Sequence, residues 1–136
     1  QPLSIENNEL LTGIIIPKQN GAYGSAYRKL RVRGSIDYPL ASAAAFLALS
    51  ADGKLAASRL VIGAAGPAPK VIDRASAALL GKLPEAADLK AAADMAYELS
   101  EGVDNLAMPG DYRRKMVRVF AQRALQGART DMKRGM

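Results

Sequence analysis

Four residues, Gly66-Pro67-Ala68-Pro69, divide this chain into two parts of different character. Two prolines in so short a stretch cannot donate to a hydrogen-bonded ladder, so a sheet is expected to end there. Before them, apolar residues come in short β-branched or alternating runs; after them, they recur at helical spacing. Strands first and helices afterwards predict an α+β fold: an antiparallel β-sheet of three to four strands packed on a layer of three helices. At 136 residues the chain is read as one domain over 1–136.

Residues 10–16 end in Ile14-Ile15-Ile16 before Pro17, and this β-branched run predicts a first strand. Residues 18–24 are polar and glycine-rich, a loop. Residues 26–33 alternate. Ala26, Arg28, Leu30 and Val32 share one face, and Tyr27, Lys29, Arg31 and Arg33 share the other. Residues 39–49 and 54–63 flank the turn Ser50-Ala51-Asp52-Gly53 and predict a hairpin. Beyond the prolines, Asp73 is expected to cap a short helix running to Leu80 and stopped by Gly81. A second helix is expected from Pro84 to about Ser100, with Leu89, Ala93, Ala96 and Tyr97 on one side. A third starts at Pro109-Gly110-Asp111, with Asp111 as cap and Met116, Val119, Phe120 and Ala124 facing inward.

The chain has no cysteine and no histidine, which excludes disulfides, thiolate metal sites and a histidine base within it. No Gly-x-Gly-x-x-Gly and no phosphate-binding loop ending in Lys-Ser or Lys-Thr occurs, and Gly21 and Gly24 have the wrong spacing. No run is apolar for long enough to span a bilayer, so no membrane association is expected. The chain opens on Gln1 without a basic-then-apolar leader pattern and is expected to be a piece of a longer one. Its net charge of +6 is concentrated in residues 112–136, which hold eight basic residues and one acidic. That excess reads either as a patch for an acidic partner or nucleic acid, or as the solvated face of a C-terminal helix. No aromatic follows Phe120 to stack on bases, so the second reading is preferred and no nucleic-acid partner is expected. The row Tyr27, Lys29, Arg31 and Arg33, followed at once by Asp37-Tyr38, suits a crevice for an anionic or aromatic ligand. It also suits an edge strand guarded by cations, and from spacing alone that reading is preferred.

Several stretches, in order, resemble one family, the C-terminal domain of the flavoprotein subunit of carbon monoxide dehydrogenase and the xanthine dehydrogenase group. They are Glu9-Leu10-Leu11-Thr12-Gly13-Ile14 with Ile16-Pro17; Tyr27-Arg28-Lys29 with Arg33 and Asp37; and Ala43-Ala44-Ala45. They continue with Ser58-Arg59-Leu60-Val61-Ile62-Gly63 before the proline break, Leu79-Leu80-Gly81-Lys82, Asp104, Tyr112-Arg113-Arg114 and Arg123-Ala124-Leu125. The resemblance implies the C-terminal part of the FAD-binding subunit of a molybdenum hydroxylase. That part closes one side of a flavin held mainly by upstream FAD-binding subdomains. Partner subunits would carry molybdopterin and [2Fe-2S] clusters, and the assembly is expected in the cytoplasm. By the same resemblance Tyr27, Lys29, Arg33, Asp37 and Tyr38 are expected to line the flavin. Lys29 and Asp37 would be polar neighbours of the ring, and Tyr38 would pack on it. Where family members differ, a lysine near Ser58 reaches the flavin; serine stands here. Tyr112, Arg113, Arg123 and Leu125 are expected to hold the fold together, Tyr112 through a buried hydroxyl and Arg123 through Asp104 or Glu98. The competing functions are a freestanding, non-catalytic docking adaptor and a nucleic-acid binder.

Overall fold

The Asp52-Gly53 turn forms as its chemistry requires. Gly53 takes the left-handed backbone (φ 79°), and the Asp52 carboxylate accepts from the Ser50 hydroxyl and the Lys54 amide. It joins β2 (Ala41–Leu49) to β3 (Leu55–Gly63) as an antiparallel pair. The structure, a computed structural model, describes residues 4–104 and 108–134. Strand β1 (Tyr23–Leu30) pairs antiparallel with β2, and a short β4 (Lys70–Val71) pairs with β3. The four strands lie in the order β1-β2-β3-β4, and three helices follow: α1 (Asp73–Leu79), α2 (Ala86–Glu98) and α3 (Gly110–Arg134). This is the α+β architecture expected from the sequence.

The strands present alternate residues to the helices. Ala41, Ala43, Ala45 and Leu47 of β2, with Leu60 and Ile62 of β3, pack against Leu79, Leu89, Val117, Ala121, Ala124, Leu125 and Ala128. Helix α3 lies along β1 and β2, α1 along β3, and α2 against both helices. Glycine sets the spacing at one place. A Cβ on Gly24 would overlap the α3 backbone at Ala128 and Met132, so β1 and α3 approach as closely as they do only with glycine there. Gly127 completes the contact from the helix side, where a Cβ would stand 2.8 Å from that of Ala26. Gly24 therefore belongs to the packed strand and not to the preceding loop.

Arg113, only 5% exposed, joins three connections. Its Nε donates to the Leu40 carbonyl (2.7 Å), Nη1 to Val103 (2.9 Å) and Nη2 to Ala64. The guanidinium fork thus satisfies carbonyls at the start of β2, at the end of β3 and in the segment before α3. Three more cations of α3 are engaged as well. Arg114 and Arg118 sit over the Tyr97 ring at 4.9 and 5.7 Å, Arg118 pairs with Asp94, and Arg123 lies over Phe120 at 5.3 Å. Much of the basic excess is spent on the fold itself.

Several local expectations are corrected. Residues 10–16 form no strand here; Leu10, Ile14, Ile15 and Ile16 are exposed, because no ladder in this domain reaches them. Strand β1 stops at Leu30, so Arg31 and Arg33 leave the face that holds Tyr27 and Lys29. The proline break does not end the sheet, since β4 follows Pro69 with both of its amides intact. Ile72, not Asp73, holds the α1 cap position, without a side-chain bond. The α3 amino terminus is capped from a distance: Asp104 Oδ1 accepts from the Gly110 amide at 2.6 Å, and Asp111 lies in the first turn. Asp104 is thereby taken, and Glu98 pairs with Arg74, which leaves Arg123 its ring contact. Tyr112 is exposed rather than buried.

Two substitutions probe these contacts by urea unfolding. Gly24→Ala must displace α3 and is expected to cost more than the ~1–3 kcal/mol typical of an overpacked core, with Gly127→Ala costing less. Arg113→Lys keeps the charge but strands buried carbonyls. Its expected loss is ~3 kcal/mol, and an unchanged midpoint would show that the fork is dispensable.

Candidate functional site

With the helices covering one face of the sheet, the other face stays open. The register places Tyr23, Ser25, Tyr27 and Lys29 of β1 on it, beside Ser42, Ala44, Phe46 and Ala48 of β2 and Ala57, Arg59 and Val61 of β3. The rows run across the strands: Ser25, Phe46, Arg59 and, next to them, Tyr27, Ala44, Val61. Alanine at Ala44 lowers the surface between bulkier neighbours. The result is a shallow depression of about 320 Å³ lined by Ser25, Tyr27, Ala44, Phe46, Arg59 and Val61. Tyr23 and Phe46 stack beside it, with centroids 6.1 Å apart and planes at 30°. Its walls are aromatic and aliphatic with one guanidinium at the rim, which suits a flat, largely apolar group carrying a negative edge.

The connection between β1 and β2 is the second half of the site. It closes where the Leu40 amide donates to the Leu30 carbonyl (2.8 Å). Within it Asp37 acts as an internal clasp: Oδ2 accepts from the amides of Val32 (3.0 Å) and Arg33 (2.8 Å). The Arg33 guanidinium turns back to donate to the Ile36 carbonyl (2.9 Å) and lies 3.8 Å from Asp37 Oδ1. Ile36 is held at φ 42°, a backbone that a β-branched residue adopts at a cost of ~1–3 kcal/mol. Tyr38, next to the clasp, is 90% exposed. The Arg33 amide, helped by its guanidinium and the Val32 amide, holds the Asp37 carboxyl below its ordinary value of 3.8.

The five residues singled out from the sequence thus share one hairpin but not one face. Tyr27 and Lys29 stand on the open sheet, and Lys29 has no hydrogen-bond or ion-pair partner among the described residues. Arg33, Asp37 and Tyr38 lie in the loop. Asp37 has its lone pairs turned toward the loop's own amides, and Arg33 folds back on the loop; Tyr38 alone of the three projects outward. Phe46 and Arg59 were not singled out, although alternation along β2 and β3 carries the signal. Ser58 registers with the buried Leu47 on the helix side, its hydroxyl buried without a partner, while Arg59 takes the open face. No group of three or more acidic, cysteine or histidine side chains suited to a metal occurs among the described residues.

The comparisons are consistent with one another. The model of the CO dehydrogenase flavoprotein C-terminal domain matches residues 25–128. The carbon monoxide dehydrogenase medium chain of Afipia carboxidovorans is 34% identical over 134 residues, covering 96% of this chain and 44% of the relative. Among solved structures, carbon monoxide dehydrogenase from Hydrogenophaga pseudoflava, lacking the Mo-pyranopterin moiety, superposes with a TM-score of 0.78 at 29% identity. That match covers 85% of this chain and 40% of that one. Quinoline 2-oxidoreductase from Pseudomonas putida 86 gives 0.73 at 27% identity, covering 82% and 39%. The chain therefore spans less than half the length of these relatives.

Because the Asp37 carboxyl titrates below its ordinary value, its hold on the loop is complete above that value and weakens only as pH falls through the folded pKa. Amide exchange at Val32 and Arg33, corrected for intrinsic rates, should be flat from pH 8 to 5 and rise under acid. Asp37→Asn should raise it from pH 8 to 5, the difference from wild type closing as Asp37 is itself protonated in acid.

Proposed function

This chain belongs to the family of CO dehydrogenase flavoprotein C-terminal domains, and from that premise we propose that it walls one side of a flavin in the FAD-binding subunit of a molybdenum hydroxylase. The observation that carries this reading is the hairpin Tyr23–Leu49, which offers an unpartnered cation at Lys29 and a bare ring at Tyr38 on a loop stiffened by Asp37. A soluble domain gains nothing by holding a tyrosine in water next to a strained, well-bonded loop; strain of this kind collects where a surface must be presented in one shape.

The residues present fit a flavin as wall, not as holder. Tyr38 would lie against the ring or its edge, and Lys29 would stand near the end of the ring that gains negative charge on reduction. Asp37 acts one step removed, by fixing the backbone that carries Tyr38, and Arg33 steadies that loop through Ile36. The phosphates need a glycine-rich cradle that this sequence lacks, so upstream FAD-binding subdomains of a longer polypeptide would supply it. A bound flavin supplies the redox chemistry, and the protein contributes position and electrostatics. This chain has no cysteine to hold a cluster, and by the family resemblance [2Fe-2S] clusters would belong to an iron–sulfur subunit and molybdopterin to a third subunit that selects the substrate. In that assembly electrons would pass from molybdenum through the clusters to FAD and on to an external acceptor. The family resemblance alone leads us to place the assembly in the cytoplasm; separately, no described helix is long and apolar enough to cross a membrane.

The full-length subunit carrying flavin provides the test. Lys29→Gln removes a cation that favours the reduced, anionic ring, so the midpoint potential should fall by on the order of 30 mV, equivalent to ~1.4 kcal/mol for two electrons. Tyr38→Ala should weaken flavin retention. Potential and retention both unchanged would remove the hairpin from the flavin site. A flavin-free, monodisperse protein encoded without upstream sequence would favour the docking adaptor instead.

A further inference from the structure

We propose that the Ile36 side chain is a second contact to the flavin beside Tyr38, an apolar stop that covers part of the ring and keeps water from it. The inference rests on the flavin-wall reading of the hairpin, and adds to it a residue whose conformation the domain alone does not explain.

Ile36 is out of place twice in a free-standing domain. Its backbone sits at φ 42°, where glycine or asparagine is at ease and a side chain branched at Cβ is crowded. Its side chain is 92% exposed, so no packing within the domain offsets that crowding. The loop does hold a glycine, but Gly34 does not take the left-handed backbone, and a Cβ there would meet nothing within 4 Å. Glycine thus stands where a side chain would fit, and isoleucine where glycine would be easier. The conformation of Ile36 is imposed from both sides. Its carbonyl accepts from Arg33 Nη2 (2.9 Å), and the next residue, Asp37, is tied to the amides of Val32 and Arg33. A side chain that is strained and bare gains only from a surface outside the domain.

Tyr38 identifies that surface. It is 90% exposed on the other side of Asp37, and Pro39 after it restricts its backbone to extended conformations. With the Asp37 carboxylate turned into the loop, Ile36 and Tyr38 are the large side chains left in solvent on either side of it. Two residue steps reach at most ~7 Å, less than the length of a tricyclic ring, so a flavin lying on Tyr38 brings part of its ring within reach of Ile36. An aliphatic side chain offers neither charge nor hydrogen bond; what it contributes is area removed from water. Ile36 therefore acts on how tightly the ring is held.

The full-length subunit, with and without flavin, tests this. Ile36→Asn suits the backbone and removes the apolar contact. Ile36→Leu moves the branch away from Cβ, which eases the backbone, and keeps the apolar area. In the flavin-free subunit the amides of Val32 and Arg33 should exchange roughly five-fold more slowly in Ile36→Asn than in wild type, because strain no longer favours opening. On titration with flavin, Ile36→Asn should raise the dissociation constant about ten-fold, and Ile36→Leu should stay within about two-fold of wild type. Unchanged affinity in Ile36→Asn, with affinity lost in Tyr38→Ala, overturns the proposal and leaves the flavin wall standing. Equal losses in the two Ile36 variants overturn it too, as does faster exchange at Val32 and Arg33 in Ile36→Asn, since the loop and not the contact would then be at fault. Affinity unchanged in Ile36→Asn and Tyr38→Ala alike removes the flavin wall itself, and with it the part given to Ile36.

Discussion

A single buried guanidinium holds the two halves of this fold in register. Arg113 has no carboxylate partner among the described residues; its charge is met by three backbone carbonyls, at Leu40, Ala64 and Val103. Those carbonyls sit where the chain changes direction: entering β2, leaving β3 and approaching α3. Burying a cation is costly unless its donors find acceptors, and a buried carbonyl left without a donor carries a smaller cost of its own. Each requirement answers the other. Ala64, one of two non-glycine residues at positive φ among those described, is kept in its left-handed conformation next to this bond. Because Leu40 also closes the β1–β2 loop, the lock extends to the segment that presents Tyr38.

From that lock the open face of the sheet follows by geometry. The helices take one side of the sheet, so the alternate residues of β1, β2 and β3 face outward as a set. Gly24 and Gly127 let α3 press against β1, and the loop beyond β1 is drawn tight by Asp37. The domain spends its charged side chains mostly on itself: Arg33 on its own loop, Arg114 and Arg118 on Tyr97, Arg28 and Asp131 on the β1 edge. Lys29 and Arg59, both on the open face, stand out against this economy.

Much of the architecture was legible in the sequence because its signals are local. The Asp-Gly turn, the alternation of β1 and the helical spacing of Leu89, Ala93 and Ala96 each act over a few residues, and all three elements formed. What depends on distant partners was not legible. Asp104 caps α3 from six residues away, Gly24 meets a helix more than a hundred residues later, and Arg113 finds its acceptors in three separate connections. Residues 10–16 mark the opposite failure, a strong local preference with no ladder in this domain to satisfy it. For the candidate site, the five residues singled out from the sequence fall on one hairpin and the loop within it. The sequence could not tell that Asp37 faces inward, since that depends on how the loop folds back over Val32 and Arg33.

The layer beneath the open face is built largely from alanine: Ala41, Ala43 and Ala45 of β2 meet Ala121, Ala124 and Ala128 of α3. Alanine has no rotamers to lose or to exchange. The floor therefore has almost no internal degrees of freedom, and pressure on its outer side finds nothing below that can swing aside. A planar guest resting there would meet a surface whose shape is the same before and after contact, so little reorganisation would accompany a change in the guest's charge.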